Sequence, residues 1–280
     1  MGRDIRLIAL DLDGTLLTTD KRLTKRTVRT LSEAAGRGIQ IVPATGRSLT
    51  GLSSKIRELP FIRYAITVNG AAVWDMGRQE PIVRQAFSTE RAVELWEFIA
   101  RYHAVRDVCI DGIARMEPEY YNKVETFMPD EPRRMLIRST RTPTEGLGEL
   151  VADGSLTVEK FNLFFREDAE AVRQQARRDL AQFDGLSVTS SLGNNLEINH
   201  ADATKGRGLL ALAAQLGLSP EQTMAFGDGE NDISMLRAAG LGVAMGNAAE
   251  EVKAAADLVT LGNDEDGVAY GIEKYVLTGR

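Results

Sequence analysis

Groups of acidic and small polar residues follow four apolar runs of the chain. The groups are Asp11-Leu12-Asp13-Gly14 after residues 5–10, Thr45-Gly46-Arg47 after 39–42, Asn69-Gly70 after 64–68, and Asp228, Asn231 and Asp232 after 223–226. Each run has the composition of a buried parallel strand. Because ligands bind at the carboxyl ends of the strands in an open parallel sheet, we expect these groups to share one rim.

Such a rim would gather several carboxylates, which repel each other unless a cation lies among them. All the candidate ligand atoms are oxygens, and oxygen ligands suit Mg²⁺ better than Zn²⁺. Thr45 adds a hydroxyl, Gly46 adds a backbone amide that can approach closely, and Lys205 adds a cation near a predicted helix start. The pattern therefore predicts a phosphoryl group held against Mg²⁺.

A carboxylate is the predicted nucleophile at this rim, because no cysteine lies nearby in the sequence and Lys205 would be charged. We assign this role to Asp11. The metal and Lys205 would screen the repulsion between the anionic carboxylate and an anionic phosphate. Asp13 would protonate the leaving alkoxide and then deprotonate the water that cleaves the acyl phosphate, which requires a protonated Asp13 at the first step.

Helical and strand-like segments alternate at both ends of the chain. Helical patterns cover residues 24–37 and 205–216, and further short strands are predicted at 241–244 and 257–260. This alternation is typical of a parallel α/β sheet covered by helices. The elements needed to position the polar rim are therefore present in the sequence.

The middle of the chain has a different character. Residues 85–192 contain long helical patterns together with Trp96. We therefore predict a second domain at 85–192, inserted into a discontinuous core that is formed by residues 1–84 and 193–280.

The overall composition is that of an ordinary globular protein. The 280 residues are 43% hydrophobic and 26% charged, which argues against disorder, collagen and coiled coil. A net charge of −6 without any block of like charges argues against a nucleic-acid partner. No apolar run reaches the roughly 18 residues that a membrane helix needs, and the single Cys109 cannot form an intramolecular disulfide. We expect a soluble, cytoplasmic protein with Cys109 as a small buried side chain.

Four of the polar segments, in this order, resemble the signatures of the haloacid dehalogenase superfamily of phosphohydrolases. They are Asp11-Leu12-Asp13-Gly14-Thr15-Leu16, Thr45-Gly46-Arg47, Lys205-Gly206 and Gly227-Asp228-Gly229-Glu230-Asn231-Asp232. Met245-Gly246-Asn247-Ala248 and the segment 263–269 are further similar to the Cof-type subfamily. The resemblance implies a Rossmann-like parallel-sheet core with a large inserted α+β cap of the C2 type.

The resemblance also implies roles for individual residues. Asp11 would be the nucleophile and a metal ligand, Asp13 the acid and base and a metal ligand through its backbone carbonyl, and Asp228 a metal ligand. Thr45, Gly46, Lys205, Asn231 and the backbone of Leu12 would bind phosphate, Asp232 would support the metal site, and Arg47 and Asn69 match the Cof-type pattern as supporting residues. The implied cap would close over the substrate and exclude bulk water.

Other ligand sites fit the sequence less well. Read as an EF-hand, the segment that begins at Asp11 has Leu16 where glycine is needed and Arg22 where a bidentate glutamate is needed. No Gly-x-Gly has the third glycine of a dinucleotide fingerprint, and no phosphate-binding P-loop sequence occurs. His103 and His200 are too scattered for a zinc site.

Our hypothesis from the sequence is a Mg²⁺-dependent phosphatase that acts on small phosphorylated metabolites through an aspartyl-phosphate on Asp11. The family resemblance favours sugar phosphates, while flavin precursors, pyridoxal phosphate and nucleotides remain open. A phosphomutase would use the same covalent chemistry but would have to keep water from the intermediate. A non-catalytic protein that binds a phosphorylated ligand is the third alternative, and the presence of both Asp11 and Asp13 argues against it.

Overall fold

The structure is a computed structural model that describes residues 4–128 and 130–278. Its strands are β1 (Leu7–Leu10), β2 (Gln40–Pro43), β3 (Tyr64–Thr67), β4 (Ala72–Asp75), β5 (Glu80–Arg84), β6 (Val105–Ile110), β7 (Ile113–Met116), β8 (Arg141–Pro143), β9 (Val158–Phe164), β10 (Leu186–Thr189), β11 (Asn195–His200), β12 (Thr223–Gly227), β13 (Leu241–Ala244) and β14 (Leu258–Val259). Its α-helices are α1 (Lys25–Gly36), α2 (Ser54–Arg57), α3 (Thr89–Ile99), α4 (Pro118–Asn122), α5 (Glu131–Thr140), α6 (Leu147–Ala152), α7 (Glu170–Leu180), α8 (Lys205–Gln215), α9 (Ile233–Ala238), α10 (Glu250–Ala254) and α11 (Gly267–Ile272).

The chain divides into two compact units. Unit 1 takes in Met1–Thr45, Ser54–Val83 and Thr204–Arg280, and unit 2 takes in Gly46–Ser53 and Arg84–Ala203. Both units are discontinuous in sequence, because the chain passes from one to the other four times.

The structure corrects one predicted boundary. Residues 193–203, which the sequence pattern predicts to be part of the core, belong to unit 2. The physical reason is that β11 pairs antiparallel with both β9 and β10, so its backbone hydrogen bonds are made inside the sheet of unit 2. The short segment Gly46–Ser53 belongs to unit 2 as well, although it lies far from the predicted insertion in sequence.

Unit 1 is built on a parallel sheet with the strand order β14-β13-β12-β1-β2. Leu10 at the end of β1 is in register with Pro43 of β2 and with Phe226 of β12. The chain therefore leaves these three strands at the same edge of the sheet. A further parallel bridge joins Ala44 to Ile66, and β3, β4 and β5 form a small three-stranded sheet beside it.

The core of unit 1 explains why its strands are so apolar. All four residues of β1 are fully buried, as expected for an interior strand of a sheet covered on both faces. Leu31 and Ala34 of α1 and Leu209 and Leu212 of α8 are also fully buried. Helix α1 begins where the side chain of Thr24 accepts a hydrogen bond from the Thr27 amide, a typical N-cap.

Unit 2 is built on a mixed sheet with the strand order β10-β11-β9-β6-β7-β8. One face forms an apolar core in which the buried Leu95, Phe161 and Leu180 lie, with Trp96 packed against them. The rings of Phe87 and Phe161 stack with their centroids 5.7 Å apart. The aromatic residues of the middle segment thus serve mainly to build a core.

Part of the opposite face of this sheet is polar and nevertheless buried. Asp107 accepts hydrogen bonds from the side chains of Asn162 and Arg141, at 2.5 and 2.7 Å. Lys160 donates to Glu197 at 3.3 Å. Buried polar side chains of this kind are costly unless they are paired, and these are paired with one another.

The single cysteine lies in unit 2 and is buried, as predicted. Its sulfur donates a hydrogen bond to the Glu159 carboxylate at 3.2 Å. Burial raises the pKa of the Cys109 thiol.

Within residues 4–128 and 130–278, every helix is too short or too polar to cross a lipid bilayer.

Candidate active site

The loop after β1 is fixed by backbone hydrogen bonds. The amide of Asp11 donates to the carbonyl of Phe226 on the neighbouring strand at 3.0 Å. The amides of Leu16 and Leu17 donate back to the carbonyls of Asp11 and Leu12, at 3.1 and 2.9 Å. The segment 11–17 is therefore a tight loop whose start is locked to the central sheet.

Three carboxylates converge at this edge of unit 1. Oxygens of Asp11, Asp228 and Asp232 lie within 4.8 Å of one another. Asp232 is fully buried and Asp11 is 7% exposed. Asp11 follows β1, while Asp228 and Asp232 follow the adjacent strand β12, so the parallel sheet brings them together as the sequence predicts.

Lys205 lies among these carboxylates rather than on the surface. It is fully buried, and its ammonium donates to Asp11 Oδ1 and to Asp232 Oδ1, both at 2.6 Å. Helix α8 starts at this lysine, capped by the side chain of Thr204. The next residue must be small, since a Cβ on Gly206 would lie 2.2 Å from the carbonyl oxygen of Ser234. Gly206 thus lets the start of α8 approach helix α9, which follows Asp232 directly.

The two acidic residues after β12 have different surroundings. Asp232 Oδ2 accepts from the backbone amides of Asp228 and Gly229, at 3.0 and 2.9 Å, so both of its oxygens are occupied by donors from the protein. Asp228 is only partly buried, and its Oδ1 accepts from the hydroxyl of Thr15 at 2.7 Å. Asp232 is therefore suited to hold the site together, and Asp228 is suited to bind a ligand.

The electrostatics of the cluster favour an added cation. Burial, followed by repulsion from Asp232, raises the pKa of Asp228 to about 6. The same two causes raise the pKa of Asp11 well above its usual value, although Lys205 opposes them. Attraction to the two carboxylates outweighs burial and raises the pKa of Lys205. One ammonium does not balance three carboxylates, and oxygen-only donors with surplus negative charge fit Mg²⁺.

The turn after β3 brings Asn69 to the same loop cluster. Asn69 is buried, and its side-chain oxygen accepts from the Asn231 amide at 3.0 Å. Its backbone amide donates to the carbonyl of Thr45 at 3.1 Å. The structure thus links Thr45, Asn69 and Asn231, three residues that the sequence analysis selected from separate strand ends.

The side chain of Asp13 does not join the carboxylate cluster. It forms an ion pair with Lys21, with Asp13 Oδ1 and the Lys21 ammonium 2.7 Å apart. The predicted metal contact of Asp13 uses its backbone carbonyl, and it stays a prediction. Gly46 and Arg47 belong to unit 2, where the Gly46 carbonyl accepts from Lys160 at 2.5 Å, and their predicted roles also stay predictions.

Three residues beside the cluster were not selected from the sequence. Thr15 and Asn247 lie within quoted motifs but received no role, and the structure places both next to Asp228. Lys21 has no motif around it and was recognisable only from its contact with Asp13. Motif membership could have indicated the first two, while the third required the fold.

The chain is similar to known proteins over nearly its whole length. The sequence profile of the haloacid dehalogenase-like hydrolases matches residues 8–272. A 5-amino-6-(5-phospho-D-ribitylamino)uracil phosphatase of Bacillus subtilis, YcsE, is 31% identical, covering 98% of this chain and 97% of its own. The pyridoxal phosphate phosphatase YbhA of Escherichia coli is 32% identical, with coverages of 97% and 99%.

A solved structure has the same fold over nearly the whole chain. The sugar phosphatase BT4131, of subclass IIB of the superfamily, superimposes with a TM-score of 0.79 at 25% identity, covering 96% of this chain and 98% of its own. The chain therefore belongs to the haloacid dehalogenase-like hydrolases. Its enzyme class is that of the phosphoric monoester hydrolases, and its architecture is the predicted Rossmann-like core with an inserted α+β cap.

Replacing the buried lysine should destabilise unit 1. The substitution Lys205→Met leaves Asp11 and Asp232 without their cation, and removing one partner of a buried ion pair costs about 3–5 kcal/mol of unfolding free energy. Urea unfolding at pH 7.5 without metal measures the loss, with Trp74 as the reporter of unit 1 in a Trp96→Phe background. Lys253→Met, which removes a surface pair with Glu250, is the control and should cost at most about 1 kcal/mol. Equal losses for the two variants would contradict the role given to Lys205.

The metal-free protein should become more stable between pH 7 and pH 5. The folded pKa of Asp228, about 6, lies above its unfolded value of about 3.9, so the folded state binds more protons in this range and the unfolding free energy rises as pH falls. Thermal unfolding in EDTA should show a smaller rise for Asp228→Asn than for the unaltered protein. Asp264→Asn serves as the control, because contacts with Thr19 lower the pKa of Asp264 and its contribution changes only at lower pH. A rise of the same size in Asp228→Asn would show that this carboxylate does not titrate as described.

Proposed function

We propose that the chain is a Mg²⁺-dependent phosphatase that hydrolyses small phosphorylated metabolites through an aspartyl-phosphate on Asp11. The observation that carries this proposal is the convergence of Asp11, Asp228 and Asp232, with the buried ammonium of Lys205 bonded to Asp11 and Asp232. The Asp11 carboxylate, fixed at the end of β1, is a suitable nucleophile. In its ionised form a carboxylate can attack phosphorus directly, whereas a hydroxyl would need a neighbouring base to remove its proton.

In the first step, an oxygen of Asp11 forms a bond to the phosphorus atom and the bond to the leaving oxygen breaks. The leaving oxygen takes the electron pair and receives a proton from Asp13. Asp13 must first leave its ion pair with Lys21 and take up a proton from solvent, so that it reaches the leaving oxygen as the neutral acid. Lys205 stays bound to Asp11 and offsets part of the negative charge that accumulates.

In the second step, a water molecule attacks the phosphorus of the acyl phosphate. Asp13 takes a proton from this water, and the bond between phosphorus and Asp11 breaks. Inorganic phosphate leaves, and the Asp11 carboxylate is restored. The two steps therefore use Asp13 first as an acid and then as a base.

The proposed Mg²⁺ ion would be held by the carboxylates of Asp11 and Asp228 and by the backbone carbonyl of Asp13. When bound, it supplies positive charge that stabilises the negative phosphoryl oxygens. Asp232 would not bind the ion directly, since its oxygens already accept hydrogen bonds from Lys205 and from two backbone amides.

The phosphate would be bound by donors from several strand ends. We assign this role to Thr45, Gly46, Lys205, Asn231 and the backbone amide of Leu12, with Arg47 and Asn69 in support. The hydrogen bond between Asn69 and Asn231 supports the assignment of these two residues.

The substrate class that we favour is the sugar phosphates, with related phosphomonoesters as alternatives. The structural neighbour BT4131 is a sugar phosphatase, whereas the relatives YcsE and YbhA act on other small phosphomonoesters. The role of unit 2 as a lid over the substrate and a cytoplasmic location belong to the same proposal.

The nucleophile is tested by Asp11→Asn. Release of inorganic phosphate from p-nitrophenyl phosphate and from a metabolite panel should fall by at least about 10³-fold, because an amide cannot form the acyl phosphate. Asp20→Asn, which removes an exposed carboxylate beside Arg22, should keep the full rate. EDTA should stop the unaltered enzyme, and added Mg²⁺ should restore it. An Asp11→Asn variant with substantial turnover would refute the covalent mechanism, and isomerised product without phosphate release would favour a mutase.

The acid role of Asp13 is tested by the choice of leaving group. Asp13→Asn should slow the hydrolysis of alkyl phosphates more than that of aryl phosphates, because a phenolate leaves without needing a full proton transfer. The ratio of kcat/KM for a sugar phosphate and p-nitrophenyl phosphate measures this difference. Lys21→Met is the matched variant, since it removes the partner of Asp13 but keeps the acid. If Asp13→Asn slowed both substrates equally, the leaving-group role would belong elsewhere.

A further inference from the structure

We infer that Asn247 is a positioning residue that holds the Asp228 carboxylate and the loop after β1 in the arrangement that binds Mg²⁺. This inference rests on the proposed function, because it concerns the proposed metal site. It goes beyond the motif analysis, which gave Asn247 no role.

The side chain of Asn247 uses both ends of its amide. Its nitrogen donates to the carbonyl of Gly14 at 2.9 Å and lies 3.5 Å from Asp228 Oδ2. Its oxygen accepts from the backbone amide of Asn263 at 3.0 Å. One side chain therefore joins the loop after β1, the loop after β12 and the segment after β14.

A second asparagine completes the connection. Asn263 is buried, and its side-chain nitrogen donates to the carbonyl of Leu17 at 3.0 Å. Next to it, Asp264 accepts from both the amide and the hydroxyl of Thr19, at 2.9 and 2.7 Å. The loop after β1 is thus held at Gly14 by Asn247, and at Leu17 and Thr19 by the adjacent residues Asn263 and Asp264.

The Asp228 carboxylate depends on this loop for its orientation. Thr15 donates to Asp228 Oδ1, and the Asn247 amide lies beside Asp228 Oδ2. Gly14 has φ +90, and a Cβ there would come within 2.3 Å of Asp228 Oδ2. Because the loop and the carboxylate are in such close contact, a shift of the Gly14 carbonyl would move or rotate Asp228.

The position of Asn247 is itself fixed by the sheet. The amide of Met245 donates to the carbonyl of Gly227 at 3.0 Å, next to Asp228. The amide of Gly246 donates to the carbonyl of Leu261, also at 3.0 Å. The backbone that leads from β13 to Asn247 is therefore held by hydrogen bonds on both residues before it. A residue that orients a metal ligand needs such a fixed backbone.

The solvent exposure of Asn247 distinguishes a role in orienting the metal ligand from a role in stabilising the fold. Asn247 is exposed to solvent, so its hydrogen bonds replace bonds to water and add little to the stability of the fold. Loss of a group that orients a metal ligand commonly weakens metal binding by about 10–100-fold. The expected signature of Asn247 is therefore weaker metal binding in a protein of nearly unchanged stability.

The test is Mg²⁺ binding to the full chain, measured by isothermal titration calorimetry in the absence of substrate. Asn247→Ala should raise the Mg²⁺ dissociation constant by at least about 10-fold. Its thermal unfolding midpoint in EDTA should stay within about 2 °C of that of the unaltered protein, as expected for an exposed side chain. At saturating Mg²⁺, kcat should recover most of its value, while the Mg²⁺ concentration for half-maximal rate should rise in parallel with the dissociation constant.

The control is Asn122→Ala, which truncates an exposed asparagine of unit 2 and should leave both Mg²⁺ binding and unfolding unchanged. If Asn247→Ala fails to fold, Asn247→Ser tests the same contacts, because its side chain is polar but reaches one bond less far than that of asparagine. A Mg²⁺ dissociation constant within 2-fold of the unaltered value in either folded variant would overturn the inference. If the unaltered chain itself bound no Mg²⁺, the proposed function would fail first, so the two failures are distinguishable.

Discussion

The candidate site depends on one buried interaction, the contact of the Lys205 ammonium with the carboxylates of Asp11 and Asp232. Taking an ammonium out of water is expensive, and only close, well-oriented anions compensate for it. Both anions lie at 2.6 Å, and each follows a different strand of the central sheet. The lysine therefore fixes the start of α8 against the ends of β1 and β12, which sets the positions of the other residues in the site.

This interaction leaves an imbalance of charge that explains what the site can bind. The cluster holds three carboxylates and one ammonium, which bonds Asp11 and Asp232. Burial, followed by repulsion from Asp232, raises the pKa values of Asp11 and Asp228. The proposed divalent cation would offset the surplus negative charge and would then attract an anionic ligand. In the proposed function, binding of a metal and binding of a phosphoryl group would therefore both follow from the same arrangement of charges.

The sequence was sufficient for the parallel core and for most of the cluster, because strand ends in such a sheet meet at one edge. Asp11, Asp228, Asp232 and Lys205 come together as predicted, although β1 begins at Leu7 and not at residue 5. The assignment of residues 193–203 failed because a strand pattern does not show which sheet it joins. Contacts such as that of Asn247 with Gly14 connect residues more than 200 positions apart, and local patterns carry no information about them.

The turn after β3, which carries Asn69 to the site, has a strained backbone. Val68 and Asn69 both have positive φ, +52 and +59, and for a β-branched residue such as Val68 this conformation is a true outlier. Strain of this kind costs about 1–3 kcal/mol and persists where the surroundings require it. In this strained turn, the Asn69 side chain accepts a hydrogen bond from the Asn231 side chain, and the Asn69 backbone amide donates to the Thr45 carbonyl. A relaxed turn would lose that link between two strand ends, so the strain is best understood as the cost of bringing the groups around the proposed phosphate site together.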